Sequence, residues 1–169
     1  MRILGIDPGL QVCGYACVET AADADTLIEA GVLRTTGGSA IEVKLNQIAA
    51  DMDSLLKKFR PQLVAVEKLY SHYTHPTTAI LMGHARGVIL QRCAQADVAV
   101  KSFSATRIKK SITGNGRASK EQMQRTIQTL LSLPELPEPS DVADAIAAAL
   151  CCAHSLQMVQ PPVEPATRY

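Results

Sequence analysis

Four carboxylates in this chain stand where acids are costly unless they have work to do. Asp7 closes the apolar run Ile3-Leu4-Gly5-Ile6 and is followed at once by Pro8-Gly9, while Glu67 closes the run Leu63-Val64-Ala65-Val66. Asp141 and Asp144 lie three residues apart among Val142, Ala143, Ala145 and Ile146. Singly, each has an ordinary explanation. Asp7 can open a turn by bonding its own backbone, Asp141 can face a helix dipole, and Asp144 can be a solvated first-turn acid. Together they describe something else. Like charges brought close are unfavourable without a cation between them, and hard oxygen donors with no His-Cys cluster suit magnesium or manganese.

Such a site needs two strand ends side by side and a helix laid across them. Apolar runs ended by breakers read as buried strands, which places Ile3–Ile6 and Leu63–Glu67 in a sheet interior. If these two strands are parallel neighbours, Asp7 and Glu67 meet at their carboxyl ends, the edge where open α/β sheets build sites. On a helix, Asp141 and Asp144 are about 4.5 Å apart along the axis and share a face. The small residues around them suit close packing against a sheet.

Between these landmarks the pattern predicts the remaining elements. Gly14–Thr20 and Thr26–Thr35 read as two further strands, so the first three strands form an antiparallel meander. Ile41, Leu45, Ile48, Met52, Leu55 and Phe59 recur in steps of three and four, one stripe of a helix that Pro61 ends. A helix over Pro76–Ala96 and a fifth strand over Val98–Phe103 follow. A short helix spans Ala105–Ile112, and Ser119 with Gln122 forms a capping box for a helix to Leu131. Ser140 or Asp141 caps a final Ala-rich helix that runs to Met158. The expected architecture is a mixed five-stranded α/β sheet, a three-stranded antiparallel meander plus parallel strands, flanked by helices. Residues 1–158 are expected to fold as one domain, with 159–169 as a flexible tail.

Composition narrows the class. The 169 residues are 47% hydrophobic and 20% charged, enough apolar content for a substantial core. No stretch approaches the roughly 18 consecutive apolar residues of a membrane span, and the expected location is the cytoplasm. Five cysteines without paired CxxC spacing read as reduced thiols in the core. Net charge is only +1, but its distribution is uneven. Lys101, Arg107, Lys109, Lys110, Arg117, Lys120 and Arg125 face Glu121 alone, whereas Thr126–Asp144 holds Glu135, Glu138, Asp141 and Asp144 with no base. Two solvated faces would explain this; so would a cationic track for a polyanion beside an acidic metal pocket.

The segments "GIDPG", "VEKLY", "GHARG" and "SDVADAIAAAL", in this order and spacing over Ile3–His154, resemble the RuvC family of Holliday junction resolvases. That resemblance implies an RNase H-like fold and a metal-dependent endonuclease that resolves four-way DNA junctions by paired nicks. The family's four metal-binding catalytic acids map onto Asp7, Glu67, Asp141 and Asp144. Two Mg2+ ions per site, with Mn2+ able to substitute, would leave 5′-phosphate and 3′-hydroxyl ends. In "RIKKSITGNGRASKEQMQ" the family places basic residues important for DNA at Lys109 and Lys120, and Arg107, Lys110 and Arg117 share that basic block. Tyr70 occupies the position of an aromatic that contacts bases near the junction centre, where the best-known relatives carry Phe. Cys13 and Lys68 depart from the residues commoner at their positions. Among the histidines, His75 is near the aromatic loop; His72, His84 and His154 have ordinary surface or core readings.

The resemblance further implies a homodimer formed through the helix after "VEKLY", with Thr78, Leu81, Met82, Ala85, Ile89 and Leu90 as its apolar surface and Gly83 and Gly87 allowing close approach. It also implies a RuvA–RuvB branch-migration complex as partner. Three other readings use some of the same residues. An RNase H-like nuclease for another substrate shares the acids, and a non-catalytic branched-DNA-binding module shares only the basic block. A kinase-like module of the actin-like superfamily also begins with "GIDPG" but needs a second domain and a longer chain.

Overall fold

The computed structural model describes residues 1–69 and 76–157. β1 (Arg2–Asp7), β2 (Val12–Thr20) and β3 (Asp25–Arg34) form the antiparallel meander, followed by α1 (Ile41–Phe59), β4 (Leu63–Glu67), α2 (Pro76–Gln95), β5 (Ala99–Phe103), α3 (Ala105–Thr113), α4 (Lys120–Leu130) and α5 (Ser140–Gln157). The strand order is β3-β2-β1-β4-β5. β1 pairs antiparallel with β2 and parallel with β4, and β4 pairs parallel with β5. Crossovers through α1 and α2 make the parallel pairs possible, since such a return needs a dozen or more residues.

Alternation along β1 and β4 sorts the two faces. Leu4, Ile6, Val64 and Val66 pack with Ile48, Met52, Leu55, Leu56 and Phe59 of α1 and Ala85, Ile89 and Cys93 of α2. Ile3 and Ala65 point the other way, into a core built from α3, α4 and α5. The expected stripe of α1 is buried from Ile48 onward, and only its first members, Ile41 and Leu45, are half-buried.

Several boundaries and faces differ from expectation. β2 begins at Val12 rather than Gly14 because Val12 and Cys13 already pair with Arg34 and Leu33. α5 begins at Ser140, so Ser140 is its first residue rather than a flanking cap, and the Val142 N–H donates to the Pro139 carbonyl at 2.9 Å. In α2, Ala85 and Ile89 turn inward to this chain's own core. They are therefore unavailable to a partner; Thr78, Gly83 and Gly87 lie on its exposed side. The expected tail and the end of the last helix at Met158 lie outside the described residues. Among the described residues no helix is long and apolar enough to cross a membrane.

Candidate active site

The register places the first two acids together. Ile6 of β1 pairs with Val66 of the parallel β4, and Asp7 and Glu67 are the next residues of each strand. Because side chains alternate along a strand, both acids turn to the face opposite Ile6 and Val66. That is the face covered by α5.

Two glycines let α5 approach closely enough to deliver the other pair. A Cβ on Gly5 would overlap the Ala145 carbonyl oxygen and stand 2.9 Å from the Ala149 nitrogen. Gly14 is paired with Asp7 across β1 and β2. A Cβ there would overlap the Asp141 carbonyl oxygen and stand 3.3 Å from the Asp141 Cβ. The first turn of α5 thus rests on the strand residue beside Asp7. Asp144, three residues on, shares the face that carries Asp141.

The electrostatics record this convergence. Burial, followed by the charges of Asp144, Glu67 and Asp141, pushes the Asp7 carboxyl up to about 8. Burial and then Asp144 push Glu67 up to about 7. Asp144 is also raised, chiefly by burial, with Lys120 opposing the shift and Asp141 adding to it. Among the described residues no three His, Cys, Asp or Glu side chains already stand in ligating geometry. Burial and like charge favour the protonated forms of Asp7 and Glu67, and a bound cation would relieve the same repulsion. Carboxylate oxygens such as those of Asp7, Glu67, Asp141 and Asp144 fit a hard divalent ion.

Lys109 and Lys120 reach the same place from α3 and α4. Both lower Glu67 and Asp144, and Lys120 lowers Asp7 as well. Glu67, Asp144, Lys109, Lys120 and Met123 line a cavity of about 200 Å³. The expected capping box fixes the start of α4: the Gln122 N–H donates to Ser119 Oγ at 3.1 Å, and the Ser119 N–H donates to Gln122 Oε1 at 2.9 Å. Lys120 Nζ also donates to Ser140 Oγ at 3.1 Å, tying α4 to the head of α5. A larger cavity of about 380 Å³ beside Leu56, Arg60, Pro61 and Val98 lies at the opposite edge of the sheet, where β4 and β5 begin.

The other basic residues divide. Arg107 and Lys110 are exposed and line a different cavity, between α3 and α5. Arg117 is exposed in the loop before α4, and its N–H donates to Asn115 Oδ1 at 2.9 Å. The loop turns at Gly114, whose φ of 75° caps α3 in the left-handed region. Tyr70, Tyr73, His72 and His75 lie outside the described residues. Cys13 is buried, and burial pushes its thiol up to about 12, so it is neutral and inert. Lys68 is exposed just beyond β4, where its N–H donates to the Phe103 carbonyl at 2.8 Å.

Sequence reasoning missed Arg86. Its Nε donates to the Glu67 carbonyl at 3.3 Å and its Nη2 to Ser102 Oγ at 2.9 Å, fastening α2 to the ends of β4 and β5. The "GHARG" segment held this arginine, but neither partner is near it in sequence. Gly5 and Gly14 were visible as strand glycines, which often mark a close backbone approach.

A mixed sheet of this order, with carboxylates at the ends of β1 and β4 and on the helix crossing them, defines the RNase H-like class. Structural comparison agrees. Thermus thermophilus RuvC in complex with a Holliday junction substrate superposes with a TM-score of 0.87 at 32% identity, covering 94% of this chain and 96% of that one. The yeast mitochondrial Holliday junction resolvase Ydc2, at 15% identity and a TM-score of 0.66, shares the fold. The family model described as crossover junction endodeoxyribonuclease RuvC matches residues 3–152. RuvC of Heliobacterium modesticaldum is 42% identical over 156 residues, 92% of this chain and 96% of the relative. RuvC of Rhodopirellula baltica is 46% identical over 149 residues, 88% and 84% of the two chains. The chain belongs to the RuvC family.

Proposed function

We propose that this protein is a crossover junction endodeoxyribonuclease that nicks four-way DNA junctions in recombination and repair. The observation that carries the reading is the convergence of Asp7, Glu67 and Asp144 in a half-buried cluster, with Asp141 beside Asp7. A binding module has no use for acids held so unfavourably.

In this reading Asp7, Glu67, Asp141 and Asp144 would hold two Mg2+ ions, which Mn2+ could replace. Such ions would supply activation of water and stabilisation of the leaving 3′ oxygen of a phosphodiester. Lys109 and Lys120 draw a phosphate into the cavity and neutralise its charge, with Ser140 steadying the Lys120 ammonium. The water oxygen bonds to phosphorus as the P–O3′ bond breaks; the water gives up a proton to solvent and the leaving O3′ takes one from solvent, leaving a 5′-phosphate and a 3′-hydroxyl. Arg117 is assigned to a flanking backbone contact and Tyr70 to stacking on a base near the junction centre.

Cutting two opposed strands requires two such sites, so the active species is assigned as a homodimer with α2 at its twofold contact. Coupling to a RuvA–RuvB branch-migration complex belongs to the same proposal. The test is incubation with a synthetic four-way junction, a linear duplex and single-stranded DNA, with and without Mg2+. Junction-selective, metal-dependent paired nicks are expected. Equal cutting of duplex and junction would indicate an RNase H-like nuclease for another substrate, and junction binding without metal-dependent cleavage would indicate a non-catalytic module.

A further inference from the structure

Away from the acids, α3 and α5 enclose a second cavity of about 220 Å³, lined by Arg107, Lys110, Ser111, Cys151, His154 and Ser155. Among the described residues no carboxylate lines it. The groups around it are nearly all donors, and several are already held in place. The Arg107 guanidinium lies 5.1 Å from the centre of the Phe103 ring, a cation–π contact that steadies a long side chain. His154 Nδ1 and Ser111 Oγ are 3.1 Å apart, linking α5 to α3. Ser155 Oγ is committed to the Cys152 carbonyl at 2.7 Å. The Cys151 thiol is kept neutral by burial, so it brings no negative charge. Two cations, a hydroxyl and an imidazole around one small concavity form a receptor for a tetrahedral oxyanion.

Its place in the fold identifies which oxyanion. Cys151 follows Asp144 by seven residues on the same helix, about 10 Å along the axis. For an arm lying alongside α5, successive phosphates of one strand advance about 3.4 Å along that direction. We propose that the Arg107–Lys110–Ser111–His154 pocket binds a backbone phosphodiester of the junction arm two to four nucleotides from the scissile phosphate. This rests on the junction-nuclease reading and adds a second phosphate subsite to it. The pocket sets the angle of the arm and so its register over the acids, while Lys109 and Lys120 serve the scissile phosphate itself.

Methylphosphonate scanning of the arm tests it, because each substitution removes one phosphate charge and leaves the protein untouched. With the wild-type chain, one position two to four nucleotides from the cleaved bond should lose about tenfold in junction affinity, the scale of a charge-assisted contact. Lys110→Ala and Arg107→Ala together should cost a similar factor on unmodified junction and lower the salt slope by about 1 to 2. On the junction carrying the sensitive methylphosphonate, the double variant should add no further loss. A flat scan, or losses that multiply, overturns the pocket even where cleavage is intact. Inorganic phosphate, titrated while the His154 ring is followed by NMR, separates the two sources of the anion. Phosphate binding with a flat scan assigns the cavity to the free ion and overturns the proposal. A wild-type chain that neither prefers nor cuts junctions overturns the nuclease reading itself, a result distinct from a flat scan.

Discussion

The two faces of the sheet are packed by opposite rules. Toward α1 and α2, Leu4, Ile6, Val64 and Val66 meet Ile48, Met52, Leu55 and Phe59, so large side chains set the distance between helix and strand. Toward α5, the sheet offers Gly5 and Gly14, and the helix offers Ala145 and Ala149, so backbone meets backbone. The first arrangement buries apolar area, worth roughly 1.5–3 kcal/mol for each large side chain taken from water. The second sacrifices some of that area to bring two helix carboxylates onto two strand carboxylates. Both faces carry a buried core, and only beside the acids does chemistry require the α5 face to be thin.

The largest effect should come from the acids. Asp7→Asn, Glu67→Gln, Asp141→Asn or Asp144→Asn should each lower junction cleavage by on the order of a thousandfold or more. Junction binding in a gel-shift assay should persist, because affinity comes from basic residues and the shape of branched DNA. Near-normal cleavage by one variant would remove that residue from the metal site.

Next comes the thinness of the α5 face. Gly14→Ala places a methyl against the Asp141 carbonyl, which is backbone and cannot step aside. Such overpacking costs about 1–3 kcal/mol, read as a fall in Tm of roughly 2–4 °C per kcal/mol in a chain of this size. Cleavage should fall further than that loss of stability explains, since the methyl pushes Asp141 away from Asp7. An unchanged cleavage rate would mean that the close approach is only packing.

This contrast explains what was readable from the sequence. Asp7 and Glu67 announce themselves as acids at the ends of apolar runs, and Asp141 and Asp144 as a pair at helical spacing. The meander and the parallel neighbours followed from the order of elements. Gly5 and Gly14 did not reveal their role, because the Ala145 and Asp141 backbones they admit are more than a hundred residues away in sequence. Arg86 was hidden for the same reason, its partners Glu67 and Ser102 being fixed only by tertiary folding. In α2, apolar residues lie on more than one side of the helix, so its pattern could not separate Ala85 and Ile89, which serve the core, from residues on the exposed face.

The same acid cluster makes stability depend on pH. Asp7 and Glu67 keep their protons up to about 8 and about 7 in the folded, metal-free chain, whereas in the unfolded chain they lose them near 4. Between those limits the native state binds more protons than the unfolded one, so metal-free stability falls as pH rises from about 4 to about 8. Below about 4 the penalty is absent. Asp7→Asn should flatten this slope in melts recorded with EDTA; a slope as steep as wild type would place the repulsion elsewhere. Ile48→Val, on the opposite face, marks the lower end: about 0.5–1.5 kcal/mol of stability, with cleavage by the folded protein unchanged. A large loss of cleavage would show that the two faces are coupled.

Calorimetric titration of Mn2+ into the metal-free chain at pH 6 and pH 8 addresses the acid cluster itself. Ligating carboxylates must be deprotonated, so binding should tighten toward pH 8 and release protons at pH 6. Asp7→Asn and Asp144→Asn should each weaken it strongly. Pocket-bound Mn2+ whose affinity is the same at both pH values and survives both substitutions would show that these four acids do not form a metal site.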